Sequence, residues 1–151
     1  MVAVGSLLAF TLAAGYTPAY ARLRAPSAGE DAVVELRGRV VCLGEGATGE
    51  SCAGGPHRFA LETPGGGRYA FRSADPLAAM FVDDRVRERE LVVRARKDPA
   101  GELETIKVYS VRNGRLFDLD YFCEVCNIVA YAPGPCVCCG RPMALRETPL
   151  H

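Results

Sequence analysis

The chain has 151 residues, 49% of them hydrophobic, with 18 basic and 18 acidic side chains. This length and composition predict one small globular domain with an appendage, large enough to bury a core. Zero net charge removes the long-range attraction that nucleic acid or an anionic membrane surface needs, so we expect neither nucleic acid nor a membrane surface as partner.

Residues 1–21 contain no charged side chain, and their apolar run at 2–14 has the length of a signal-peptide core. Ala19 and Ala21 are small residues at the two positions that a signal peptidase reads, which predicts cleavage before Arg22. An uncleaved membrane anchor is the alternative, since about 20 residues just span a bilayer, and a cytosolic terminus is the third interpretation. The first two imply a periplasmic or secreted protein, with 22–32 as a polar linker.

Five β-strands are predicted over residues 33–114, and a short helix is predicted between the third and fourth of them. Gly38, in the middle of the first strand, predicts a bulge or bend that lets one strand serve two sides of a small barrel. Asp75 and Pro76 form a helix start, with Asp75 as the cap. The predicted strands are 33–43, 57–63, 68–72, 87–96 and 102–112.

This order resembles the OB-fold, a five-stranded barrel whose helix falls between the third and fourth strands. Another small β-barrel or sandwich is the alternative fold. A further strand at 116–122 leads without a linker into the cysteine-rich tail, 115–147. We therefore expect the tail to lie against the barrel instead of moving freely.

The tail holds five of the seven cysteines within seventeen residues. Cys123 and Cys126 form one Cys-x-x-Cys pair, and Cys136 and Cys139 form a second that is followed by glycine. Two such pairs closing on one another are what a tetrahedral thiolate metal site requires. A haem site is excluded, because histidine follows neither pair. Disulfides among these cysteines are the alternative to a metal, since an exported chain permits oxidation.

The two pairs resemble those of short zinc ribbons, and less closely the iron site of rubredoxin. The resemblance implies that Cys123, Cys126, Cys136 and Cys139 bind a metal, with zinc as the expected ion and iron or copper as alternatives. Cys138 departs from the ribbon pattern as a fifth thiol and is an alternative fourth ligand. Met143 is a candidate soft-metal ligand, although a core role is the simpler interpretation.

An exported OB-like barrel with such a tail looks like a family of uncharacterised bacterial secreted proteins. The resemblance implies the architecture and metal binding, and it implies no known reaction. The leading hypothesis is a non-enzymatic accessory or binding protein of the cell envelope, with a structural metal site and a protein or other envelope component as partner. One alternative is a redox protein that uses iron, or a dithiol within the segment that contains Cys136, Cys138 and Cys139. The other alternative is a copper-handling protein.

Several other residues are weaker candidates. Cys42 and Cys52 are predicted to form a disulfide across a glycine-rich loop. Asp118 and Asp120 share one strand face, interpreted as solvated, and the charged run 83–89 is interpreted as an exposed turn. Histidines His57 and His151 are interpreted as surface residues. A basic and aromatic group on the second and third strands resembles a base-stacking surface, but its spacing fits a core better: Arg58, Phe59, Arg68, Tyr69, Phe71 and Arg72.

Overall fold

The computed structural model describes residues 32–44 and 58–150. They form eight strands, one turn of 3-10 helix at Ala78–Val82 and one short α-helix, α1, at Asp84–Arg87. The strands are β1 Val33–Leu43, β2 Arg58–Glu62, β3 Arg68–Ala70, β4 Leu91–Lys97, β5 Leu103–Arg112, β6 Arg115–Cys123, β7 Ile128–Ala130 and β8 Ala144–Pro149. The predicted order of the first five strands and the helical segment is thus observed.

The strands form one open antiparallel sheet in the order β3-β2-β1-β4-β5-β6-β7, with β8 paired to the other side of β6. The closed five-stranded barrel that we expected is therefore not present. Strand β3 forms a ladder with β2, and no ladder joins it to β5. A single parallel bridge joins Phe71 to Leu103, where the Arg72 N–H donates to the Leu103 carbonyl at 3.0 Å.

Strand β1 changes partner at Gly38, as its glycine predicts. Residues up to Gly38 pair with β4, and residues from Arg39 onward pair with β2. A Cβ atom at Gly38 would lie 2.1 Å from the carbonyl oxygen of Glu62. Glycine is therefore needed here because the backbone of the neighbouring strand approaches too closely for any side chain.

The helical segment begins at Ala78, later than predicted, and is broken into two pieces. One carboxylate oxygen of Asp75 accepts from the N–H groups of Leu77 and Ala78, and the other accepts from the N–H of Thr105 at 2.6 Å. Asp75 thus caps the turn that precedes the 3-10 helix and fixes it to β5, whereas the N-cap residue of the helix itself is Leu77, so the predicted cap position is wrong. Asp83 then ends the 3-10 turn and caps α1 by accepting from the Arg85 N–H.

The core lies between the sheet and this helical segment. Phe81 is fully buried and contacts Phe59 edge-on at 5.9 Å and Phe71 at 4.7 Å between ring centroids. Leu119 and Tyr121 on β6 belong to the same cluster. The core therefore extends from the first five strands to β6, the strand that carries the first metal-ligand candidate.

Strand β8 is held against the rest of the sheet by a charged network around Glu147. Its carboxylate accepts from the hydroxyl of the fully buried Ser110 at 2.5 Å and from the Arg89 guanidinium at 3.1 and 3.3 Å. Arg112 adds a contact at 3.3 Å. The cysteine-rich tail is therefore fixed to β5 and to the loop before β4.

Candidate metal centre

The first Cys-x-x-Cys pair lies in the turn between β6 and β7. Cys123 is the last residue of β6, and the N–H of Asn127 donates back to its carbonyl at 2.8 Å. Asn127 has a φ of 54°, in the left-handed region that asparagine tolerates better than most residues. The turn thus brings the sulfurs of Cys123 and Cys126 close to one another.

The second pair repeats the geometry of the first. The N–H of Gly140 donates to the Cys136 carbonyl at 2.8 Å, and Gly140 has a φ of 71°. Cys136 in turn donates its N–H to the carbonyl of Arg141 at 2.7 Å, which closes the base of the turn. Asn127 and Gly140 therefore occupy equivalent positions, each directly after the second cysteine.

The two turns bring four sulfur atoms together. Those of Cys123, Cys126, Cys136 and Cys139 all lie within 4.8 Å of one another, and the Cys123 and Cys139 sulfurs are 3.6 Å apart. A zinc ion with four bonds of about 2.3 Å in a tetrahedron has sulfur–sulfur edges of about 3.8 Å. The group is therefore compact enough to hold a metal ion, and its donor set fits zinc or iron.

Backbone N–H groups favour a thiolate at one of these positions and outweigh the opposing effect of burial. Cys123 and Cys136 are each 2% exposed. The backbone N–H groups of Cys139 and Cys138 donate to the Cys136 sulfur and lower the pKa of that thiol to about 7. A thiolate is the form that binds a metal, so Cys136 is prepared for coordination near neutral pH.

At Cys126 the surrounding thiols shift the pKa in the opposite direction, upward. Contact with the Cys138 and Cys139 side chains, together with burial, raises the pKa of the Cys126 thiol. Several negative charges cannot gather in this volume without a compensating cation. A bound divalent ion supplies that compensation, because it attracts each thiolate directly.

All five cysteines of the tail are free thiols, so the alternative disulfides are not formed among them. Cys138 is exposed and stands outside the group of four close sulfurs, whereas its neighbour Cys139 belongs to it. Met143 packs against the core cluster, which is the simpler of its two interpretations.

Cys42 is not among the free thiols of the described residues. Its predicted partner Cys52 lies outside them, as do His57 and His151. The predicted bridge between Cys42 and Cys52 therefore stays a prediction. Residues 1–31, with the predicted leader and most of the linker, are likewise outside the described part of the chain. None of the described helices has the length and apolarity to cross a membrane.

The base-stacking candidates and the acidic pair occupy different surroundings. Phe59 and Phe71 are 5% and 2% exposed, as the core interpretation requires. The expectation of a solvated face is wrong for Asp120, while Asp118 is half-buried. Asp120 is 6% exposed and accepts two hydrogen bonds from Arg146 at 2.9 and 2.8 Å, while Asp118 pairs with Lys107 at 2.7 Å. Both carboxylates have a basic partner on a neighbouring strand, and for Asp120 this partner compensates its burial.

The interpretation of 83–89 as an exposed charged turn is also wrong in part. Arg87 is 9% exposed and donates to the carbonyl of Phe81 at 2.7 Å. Asp83 accepts a hydrogen bond at 2.9 Å from the hydroxyl of the buried Tyr121 on β6. No local pattern predicts these contacts, because each partner lies in another element.

Fold and site together define a mainly β protein whose open antiparallel sheet carries a cluster of four cysteine thiols. The chain matches no protein-family model, no curated protein sequence and no solved structure at a significant level. Its function must therefore be inferred from the site itself.

Proposed function

We propose that the protein binds one zinc ion through Cys123, Cys126, Cys136 and Cys139 and that this ion has a structural role. The observation that carries the proposal is the approach of these four sulfurs to within 4.8 Å of one another. Four thiolates fill a tetrahedral coordination shell, so no position remains for a substrate or for water. Such a site stabilises the tail and performs no hydrolysis.

The composition of the tail supports a structural role for the ion. Of residues 124–142, Cys136 alone is buried, so this segment has almost no apolar core of its own. Segments of this kind obtain their folding free energy from metal binding. The two turns therefore depend on the ion for their mutual arrangement.

The proposal includes the protein's class and location. Strands β1 to β5 follow the neighbour order of an OB-fold, and the Phe71–Leu103 bridge brings β3 toward β5, which supports an OB-like sheet that stays open between these two strands. The uncharged apolar N-terminus supports export. We propose an exported, non-enzymatic accessory or binding protein of the cell envelope, similar to bacterial secreted proteins of the same architecture, with a protein or other envelope component as partner.

Metal content of the purified full chain tests the site. We expect one zinc per chain in the wild type and in Cys138→Ser, and loss of zinc in Cys136→Ser. Cys138→Ser is the matched control because it removes an adjacent thiol outside the group of four. A red protein with one iron per chain establishes the redox alternative, and a preference for copper over zinc establishes soft-metal handling. No metal in the wild type contradicts every version of the site.

The mass of the mature protein tests export. Production in a bacterium with its own secretion machinery should yield a periplasmic or secreted chain that begins at Arg22. A chain that stays in the cytoplasm with its N-terminus intact contradicts this part of the proposal and leaves the metal site untouched.

A further inference from the structure

A cleft lies where β1 leaves β4 and joins β2, and its volume is about 310 Å³. Its walls come from β1, from the end of β2 with the turn that follows it, and from the position just before β4. The lining residues that decide its chemistry are Gly38, Arg39, Val41, Glu62, Pro64 and Glu90. Small-molecule sites have volumes of roughly 300–1,000 Å³, so the cleft is large enough for a compact organic molecule.

Part of the cleft wall is backbone without a side chain. Gly38 is the last residue of β1 in register with β4, and Arg39 is the first in register with β2. The carbonyl of Glu62 leaves no room for a side chain at Gly38. Because both strands are held in the sheet, this wall is rigid, and a rigid site loses little conformational entropy when a ligand binds.

Arg39 is an exposed arginine of this lining that has no carboxylate partner among the described residues. It stands directly opposite Glu62 in the ladder between β1 and β2. Glu62, however, pairs with Arg68 at 3.4 Å. Glu90, the other carboxylate of the lining, accepts two hydrogen bonds from Arg37 at 2.7 and 2.9 Å. The guanidinium of Arg39 is therefore available to a ligand.

The charged side chains at the cleft carry one net positive charge. Three arginines, Arg37, Arg39 and Arg68, stand with two glutamates, Glu62 and Glu90. A monoanion balances this charge, whereas a dianion such as a phosphate monoester leaves an excess of negative charge. A guanidinium binds a carboxylate through two parallel hydrogen bonds. The charge balance thus favours a monocarboxylate.

We propose that this cleft is a binding site for a small carboxylic acid with an apolar body. Arg39 binds the carboxylate, and Val41 and Pro64 contact the apolar body, in keeping with a lining whose accessible surface is mostly apolar. The cleft is built by residues outside the cysteine-rich tail. The inference therefore goes beyond the proposed metal site and does not depend on it.

Titration of the full chain with 3-phenylpropionate and with hexanoate, followed by nuclear magnetic resonance, tests the site. We expect saturable shifts of the backbone amide signals at 38–41 and 62–64. The uncharged 3-phenylpropanol has the same apolar body and should bind at least about tenfold more weakly, because it lacks the charged hydrogen bonds to the guanidinium. Inorganic phosphate, which has no apolar body, should leave these signals unshifted.

Three variants test the role of each charge. Arg39→Gln should weaken binding of 3-phenylpropionate by about tenfold or more. Arg96→Gln, at an exposed arginine of β4 outside the lining, should bind like the wild type. Glu62→Gln removes a negative charge from the wall and should bind the carboxylate at least as tightly as the wild type.

Two results overturn the inference. One is that neither carboxylate binds at 38–41 and 62–64, or that 3-phenylpropanol binds there equally well, which the wild type alone decides even if a variant fails to fold. The other is that Glu62→Gln abolishes binding while Arg39→Gln does not, since the cleft then takes a cation. Zinc content measured on the same samples separates the two proposals: a zinc-loaded chain that binds no carboxylate contradicts this one alone.

Discussion

At the scale of single residues, Gly38 determines how β1 pairs with two neighbouring strands. The strand passes from β4 to β2 at this residue, and the carbonyl of Glu62 occupies the space of a side chain. Neither the backbone of β1 nor that of β2 moves without loss of their shared hydrogen bonds. The absence of a side chain is therefore the structural requirement.

Replacement of this glycine should destabilise the protein. Gly38→Ala places a Cβ 2.1 Å from a backbone oxygen, and relief of such overpacking costs about 1–3 kcal/mol. Urea unfolding followed by circular dichroism measures the loss. Gly65→Ala is the control, because nothing lies within 4 Å of a Cβ at that position. Equal stability of the two variants contradicts the account of β1.

Tyr121 is a second important residue, because it packs the tail's first strand, β6, against the helical segment. It is fully buried on β6, and its hydroxyl donates to Asp83 at the start of α1. Burial and this hydrogen bond raise the pKa of the phenol, so the neutral form is the one that the fold accommodates.

Tyr121→Phe should lower the free energy of unfolding by about 1 kcal/mol, the usual contribution of one hydrogen bond. The ring remains in the core, and Asp83 keeps its bonds from Arg85. Tyr131→Phe is the matched control, since Tyr131 is 40% exposed and its contact with Lys107 is 3.5 Å long. A loss no greater than that of the control shows that the Tyr121 hydroxyl contributes nothing.

At the scale of elements, β8 joins the cysteine-rich tail to the rest of the sheet. Six residue pairs connect it to β6, from Phe117 with Pro149 to Phe122 with Ala144. Glu147 then faces the core side, where Ser110 and Arg89 bind its carboxylate. Burial alone raises the pKa of this carboxyl, but the hydrogen bonds from Arg89 and Ser110 outweigh it, and the net shift is downward.

The lowered pKa makes Glu147 a source of acid sensitivity. Its carboxylate form stabilises the fold above the unfolded-state pKa, ordinarily near 4.5, and that contribution is lost as the pH falls through the lower folded-state pKa. Between pH 7 and pH 3 the wild type should therefore lose more stability than Glu147→Gln. Glu88→Gln, at an exposed carboxylate, should follow the wild type. Parallel curves for the wild type and Glu147→Gln contradict the network.

Local patterns in the sequence are sufficient to predict several elements and insufficient for the contacts between them. The alternation of β1, the bend at Gly38 and the turn at Asp75 are each encoded in a few neighbouring residues. The partners of Asp118 and Asp120 lie on β5 and β8, so nothing near them in the sequence shows that they are paired. The open sheet likewise reflects the missing ladder between β3 and β5, two strands that lie far apart in the sequence.

The candidate site also has one feature that the sequence pattern predicts and one that it did not reveal. The spacing of the four cysteines is a local pattern and predicts that they meet. Asn127 was missed, although it stands where Gly140 stands in the second turn and asparagine is the commonest non-glycine residue there. Comparing the two pairs position by position would have found it.

At the scale of the whole molecule, a single sheet runs from the first five strands into the metal-ligand turns. Strand β6 pairs with β5 at its beginning and with β7 at its end. The sheet thus fixes one side of the tail, and the proposed ion fixes the turns beyond it. Removal of the ion should therefore affect the order of the turns without affecting the order of the sheet.

Chelation should therefore loosen the turns and leave the sheet intact. Hydrogen exchange is expected to accelerate at 123–127 and 136–140, while the fully buried Leu91 and Val93 in β4 stay protected. Cys136→Ser without chelator should show the same pattern. Unchanged exchange in the turns after removal of the ion means that the ion does not hold them.

The central claim is that four sulfurs of this chain bind one ion, and X-ray absorption at the zinc edge tests it most directly. We predict four sulfur neighbours at about 2.3 Å in the purified wild-type protein. A shell containing nitrogen or oxygen, or a metal-free protein whose tail cysteines are joined in disulfides, would contradict the claim.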